Sequence, residues 1–209
     1  MDGWLRKAKK LREAGEWDEL LTCCLQWTEV QPEEAKGWHN LGMGYVNLLR
    51  PEEAVNAFQR VIEILPDSPK GWLNLGNAYL ESGLGADAVK AYRQAVRFCP
   101  DDAEALHSLG MAYNTIERYQ EAIEIFQDVL KLTPEQSGIW LDLAGAYIAA
   151  IRYDEAMDAV LQALKIDPDN ESVLHALGVV HFHRKNYEAA LEANLEALKI
   201  NQDYGDAWY

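Results

Sequence analysis

Apolar and small residues recur along the chain with helical spacing. Between residues 35 and 68, Trp38, Leu41, Gly42 and Tyr45 fall at i, i+3, i+4 and i+7, the stripe of one helix face. Ala54, Phe58 and Val61 follow at steps of 4 and 3, the stripe of a second helix. The pattern predicts a first helix of about 14 residues, a turn, and a second helix that packs against it. Proline then stops the second helix, and the Asp, Ser or Asn beside it (Asp67-Ser68, Asp101-Asp102, Asp169-Asn170) can cap the next first helix.

The pattern repeats. Prolines stand at Pro32, Pro66, Pro100, Pro134 and Pro168, each 34 residues after the last. Gly42, Gly76, Gly110, Ala144 and Gly178 keep the same phase, as do Tyr45, Tyr79, Tyr113, Tyr147 and His181, and Ala54, Ala88, Ala122, Ala156 and Ala190. A further register reads Trp4, Trp38, Trp72, Leu106, Trp140, Leu174 and Trp208, assigned by phase to the core. Trp17 and Trp27 lie outside it and supply bulk in the divergent first unit. A glycine inside a helix costs up to about 1 kcal/mol against alanine, so glycine or alanine kept at one phase implies a second helix pressing close.

The 34-residue period and the pattern W-x2-L-G-x2-Y, followed by Ala, a large residue and Pro, resemble the tetratricopeptide repeat family. GWHNLGMGY (37–45) and GWLNLGNAY (71–79) carry the likeness most clearly; the first unit, with Lys7, Ala8, Leu11 and Leu20 at signature positions, carries it least. The resemblance implies an all-α, right-handed superhelical solenoid of antiparallel helix hairpins. Its six repeats would be 1–34, 35–68, 69–102, 103–136, 137–170 and 171–204, with 205–209 opening a truncated seventh. One hairpin cannot bury its own stripe, so neighbours must stack. The final GDAWY either belongs to a longer array, the favoured reading because solenoids need a capping repeat, or drapes over the sixth hairpin.

Charge narrows the partners. The 209 residues carry 19 basic and 34 acidic side chains, net −15, yet residues 1–12 hold five basic groups (Arg6, Lys7, Lys9, Lys10, Arg12) against Asp2. That segment is net +4, so the remainder carries about −19, which disfavours nucleic acid and anionic membranes and favours neutral to basic protein partners. No run approaches the roughly 18 apolar residues of a membrane span, and the N-terminal stretch lacks a secretory apolar core. With Cys23, Cys24 and Cys99 read as reduced thiols, a cytoplasmic protein is the expectation.

Catalytic and cofactor chemistry finds little footing. His39/Met43 and His107/Met111 share helix faces, but two ligands make no metal site, and alternate hairpins should lie roughly 20 Å apart. His181 occupies the tyrosine phase and is expected as a packed, hydrogen-bonded core histidine. The cysteines have no histidine at a comparable level, and neither G-x-x-x-x-G-K-[ST] nor H-E-x-x-H occurs. Paired acids such as Glu33-Glu34 and Glu52-Glu53 fall at helix starts, where free backbone N–H groups favour them. The expectation is a non-catalytic scaffold with no metal or cofactor.

In the family, the face of each first helix left free by packing lines a concave groove for peptides. Carried over by position, that face comprises Lys36, His39, Asn40, Met43 and Asn47, then Lys70, Asn74, Asn77 and Glu81, then His107, Ser108, Met111 and Asn114, then Asp142, with His175, Val179, Phe182 and His183 in the sixth unit. An asparagine amide both donates and accepts, matching a peptide group, so Asn40 and Asn74 resemble the start of a backbone-gripping asparagine ladder. Ser108, Asp142 and Ala176 interrupt it. The two-carboxylate clamp of chaperone-binding members is absent, since its lysine position reads Leu5, His39, Leu73, His107, Leu141 and His175. The function expected is protein or peptide binding in the groove. Head-to-tail self-association through the cationic first helix, or service as the targeting arm of a larger enzyme, are the alternatives.

Overall fold

The computed structural model describes residues 2–201, and within them it holds twelve α-helices and no strand. These are α1 (Asp2–Ala14), α2 (Trp17–Val30), α3 (Ala35–Asn47), α4 (Pro51–Ile64), α5 (Pro69–Glu81), α6 (Gly85–Phe98), α7 (Ala103–Thr115), α8 (Tyr119–Leu132), α9 (Ser137–Ala149), α10 (Tyr153–Ile166), α11 (Glu171–His183) and α12 (Tyr187–Ile200). From α3 onward the first helices start at 35, 69, 103, 137 and 171, and the second helices start at 17, 51, 85, 119, 153 and 187, a step of 34 in both series. The seventh-unit residues 205–209, Trp208 among them, lie outside the described residues.

Local chemistry explains the boundaries. Second helices end at Val30, Ile64, Phe98, Leu132 and Ile166, two residues before each proline, because the residue preceding proline is pushed out of the α region. Ser68 accepts from the Gly71 N–H at 3.1 Å, Asp102 Oδ1 from Glu104 and Ala105 N–H at 3.0 and 3.2 Å, and Asn170 from Ser172 and Val173 N–H. Each satisfies donors that a helix start leaves open. Between the helices of a hairpin, the residue two before each second helix adopts positive φ: Gly15, Leu49, Gly83, Glu117, Ile151 and Lys185, at 55–73°. Only Gly15 and Gly83 do so without Cβ strain.

The chain forms two compact units, residues 1–108 and 109–209. In the first, α2 packs on α3 and α4 on α5; in the second, α8 packs on α9 and α10 on α11. The hairpin contact is set at the glycine phase. A Cβ at Gly42 would stand 2.7 Å from Phe58, at Gly76 2.5 Å from Tyr92, and at Gly110 2.6 Å from Phe126, so the aromatic ring lies flush on helix backbone. Where Ala144 replaces glycine, the facing residue is the smaller Val160, and both are fully buried. Gly178 faces Asn194 instead, whose Oδ1 would lie 2.3 Å from an added Cβ.

The tryptophan register differs from expectation. Trp38, Trp72 and Trp140 are only partly buried, and each donates its indole N–H to a carbonyl six residues earlier, Pro32, Pro66 and Pro134, at 2.8, 2.8 and 2.9 Å. The proline therefore both ends one helix and anchors the next. An indole with one polar edge reaches that carbonyl only near the surface. Trp27 is 2% exposed in the core of the first unit, with Trp4, Trp17 and Trp38 packed against the same cluster. His181 is likewise only partly buried rather than a full core residue.

Candidate functional site

Helical geometry puts the positions outside the packing phase on one face of each first helix. In the first unit, Lys36, Asn47, Lys70, Asn77 and Glu81 are exposed there, and His39, Met43, Asn74, His107 and Ser108 are partly exposed. Neighbouring first helices meet across this face, where the Asn74 amide nitrogen lies 3.1 Å from His39 Nε2. If that amide donates, His39 is neutral with its proton on Nδ1. Burial, reinforced by the charges of Lys70 and Arg12, holds the His39 pKa below its ordinary value, so the neutral form prevails near pH 7. The ring also meets Phe58 edge-on, with centroids 6.0 Å apart.

Asn40 is the exception. It is 5% exposed, and its Nδ2 donates to Lys36 O at 2.8 Å, one turn back on its own helix. A residue nominated for gripping a partner's backbone is thus drawn into the packing. Its phase lies one position from Leu41, so a short amide at that angle falls under the neighbouring helix rather than into the open. Asn47 Nδ2 donates to Met43 O at 2.9 Å, and Asn77 Oδ1 accepts from the Tyr92 hydroxyl at 2.6 Å. These bonds fix side-chain orientation, and each leaves amide capacity unused.

In the second unit, Met111 is 37% exposed, whereas Asn114 and Asp142 are partly buried. Asn114 Oδ1 is buried and finds no donor among the described residues. His175, Val179, Phe182 and His183 line a single cleft of about 480 Å³ with Asn194, Tyr187 and Leu191. The cleft exists because Asn194 occupies the place that Phe58, Tyr92 and Phe126 fill with rings elsewhere.

Three repeated contacts were not foreseen. Arg50, Arg118 and Arg152 each stack over the tyrosine of the same hairpin (Tyr45, Tyr113, Tyr147; 4.8, 5.0 and 4.8 Å to the centroid) while pairing with Glu53, Glu121 and Glu155. The R-x-x-E spacing after the turn was the available signal. Cys23 and Cys24 are not activated, since burial raises the pKa of Cys23 and pushes that of Cys24 up to about 12; all three cysteines are free. Among the described residues, no group of three or more His, Cys, Asp or Glu is placed to hold a metal ion, and no helix is long and apolar enough to cross a membrane.

Models of the tetratricopeptide repeat match residues 67–135, 117–177 and 172–203, and a TPR repeat model matches 50–83. No curated protein matches by sequence. Solved structures share the fold. MamA from Desulfovibrio magneticus RS-1 aligns at a TM-score of 0.76 and 19% identity over 82% of this chain and 97% of that one. Pseudomonas aeruginosa pilF aligns at 0.76 and 14% identity over 99% and 94%. YrrB, described as a TPR protein with an unusual peptide-binding site, aligns at 0.71 and 19% identity over 88% and 95%.

Proposed function

We propose, on the premise that this chain belongs to the tetratricopeptide repeat family, that it holds an extended segment of a partner protein against the exposed face of its first helices, chiefly α3, α5 and the start of α7. At the coarser level it is a protein-interaction scaffold. We take the six-unit division given above as its frame and its role as non-catalytic, in the cytoplasm, where the free thiols are at home.

The observation that carries the finer reading is the Asn74···His39 contact at 3.1 Å, which ties two consecutive first helices into one polar face flanked by Lys36 and Lys70. YrrB lends support as a peptide-binding protein of the same fold. With net −15 overall, a neutral to basic partner is favoured, and its backbone carbonyls would meet the lysines and the amides.

Benzoylphenylalanine placed at Met43, at Asn77, or at the outward Lys90 would test this against a peptide library displayed on phage. Selected peptides should crosslink from 43 and 77 and not from 90, and Asn74→Ala should weaken them about tenfold with an unchanged melting temperature. Crosslinking from 90 alone, with Asn74→Ala inert, would refute it.

A second reading has its own observation. On α12, Leu191 and Leu195 are 62% and 49% exposed between Glu188, Glu192 and Glu196, a face complementary to the basic α1 of another copy. Light scattering that rises with concentration and collapses in high salt would favour self-association; a constant monomer mass would exclude it.

A further inference from the structure

Going beyond the first-helix face, we infer that the fifth hairpin carries a separate pocket that receives an arginine side chain of a partner protein over the ring of Trp140. The pocket is an open cleft of about 520 Å³ between α8, α9 and α10. Leu143, Tyr147 and Trp140 line its apolar part, and Gln127, Lys131, Glu155, Asp158 and Gln162 contribute its polar part. It lies on the packing phase of α9, not on the face that carries Asp142.

The repeats themselves say what belongs there. In the second hairpin the chain fills the equivalent place with its own guanidinium: Arg60 lies 5.6 Å from the centroid of the Trp38 ring and pairs with Glu63. Residue 162, at the phase of Arg60, is glutamine. In the third hairpin, whose tryptophan is Trp72, the place of Asp158 is taken by Lys90, so a cation again stands at that corner. Of the four described hairpins with tryptophan at this phase, the first (Trp4, with Thr22 and Gln26) and the fifth have neither cation, and only the fifth substitutes an acid.

The charges around the opening are already sorted. Lys131 pairs with Asp128 at 2.7 Å and Arg152 with Glu155 at 2.8 Å, whereas Asp158 is exposed and meets no cation among the described residues. A tryptophan face with one uncommitted carboxylate suits a planar cation that both stacks and pairs, and a guanidinium does so better than an ammonium. The apolar floor at Leu143 takes the methylene stem. Tyr147 is held in place by Gln127, whose Nε2 donates to its hydroxyl at 2.9 Å, and the Trp140 indole by Pro134 O, so the aromatic walls are set before a ligand arrives.

The test uses the full chain, ¹⁵N-labelled, with the capped pentapeptide Gly-Gly-Arg-Gly-Gly as probe. The Trp140 indole N–H signal should shift with a dissociation constant of about 1 mM, and the citrulline peptide should bind at least about fivefold more weakly. Asp158→Lys should weaken the arginine peptide about fivefold, and Gln162→Arg, which supplies the guanidinium in cis as Arg60 does, should abolish the shift. Both positions can be changed without opening the core, and melting curves verify that the variants fold. Asn74→Ala should leave the shift intact, which separates this pocket from the first-helix face. Equal affinity for citrulline, or unaltered binding in Gln162→Arg, overturns the assignment. If guanidinium chloride alone shifts Trp140 as strongly as the peptide at equal concentration, the ligand is a small free cation and the protein-arginine assignment falls.

Discussion

The second and sixth hairpins share one template and finish it differently. In the second, Phe58 is 1% exposed and lies flat on Gly42; in the sixth, Asn194 stands at that phase over Gly178 with its Oδ1 buried and undonated among the described residues. Val55 is 8% exposed, and its counterpart Leu191 is 62% exposed. One hairpin is locked by an aromatic ring between two helices. The other is cleft and open, so the repeat pattern fixes helices at both places but packing quality at only one.

The largest effect should come from unlocking the second hairpin. Phe58→Ala should cost about 3–5 kcal/mol, read from urea midpoints, because the cavity opens on rigid helix backbone that cannot collapse. Asn194→Ala, by contrast, should cost less than about 1 kcal/mol, since it removes a buried oxygen that has no donor. Equal losses at the two sites would erase the distinction. In the reverse direction, Asn194→Phe should stabilise the chain by about 1 kcal/mol by restoring the ring-on-glycine contact and filling the 480 Å³ cleft. Destabilisation by that substitution would mean the sixth hairpin is spaced differently from the second.

A turn variant tests whether strain is independent of packing. Ile151 holds φ at 62° and is 73% exposed, so nothing compensates its β-branched side chain there. Ile151→Gly should raise stability by about 1 kcal/mol, whereas Gly83→Ile should lower it by a similar amount. Leu191→Gln should fall within about 0.5 kcal/mol of zero, the smallest change of the series, as expected for an exposed position.

His39 should also make the stability of the second hairpin depend on pH. The His39 pKa is lowered in the folded protein, so below about pH 6.5 the unfolded chain takes up a proton that the folded chain resists. Stability therefore falls as pH drops through that value, until the folded-state pKa is passed. Protonation also leaves His39 unable to accept from Asn74. Melting temperatures at pH 7.5 and 5.5 should differ less in His39→Gln than in the parent; an identical difference would show that His39 is not the group responsible.

How far the sequence could be read follows from what each position depends on. Helix number and spacing were legible because period, proline and capping residues act within a few residues of themselves: Ser68, Asp102 and Asn170 do cap helices. The glycine phase was legible as a close approach, since glycine inside a helix has few other reasons to persist. Asn40 was misjudged because its spacing from Leu41 left its side chain at the edge of the stripe, where the neighbouring helix decides burial. Trp38 and Trp72 do pack on the core as their phase implies, but only in part, as an apolar ring at a core phase can still be drawn toward a carbonyl such as Pro66 O.

By itself the sequence determined the fold class and the 34-residue step, because these follow from local propensity and periodicity, and it could only nominate one face of each first helix as free of the packing. Tertiary structure alone decided which polar groups on that face remain available, that His39 and Asn74 meet across 35 positions of chain, and that Trp140 borders an unfilled pocket while Trp38 is covered by Arg60. Those outcomes turn on the volume and reach of side chains from separate helices, a quantity no single helix contains.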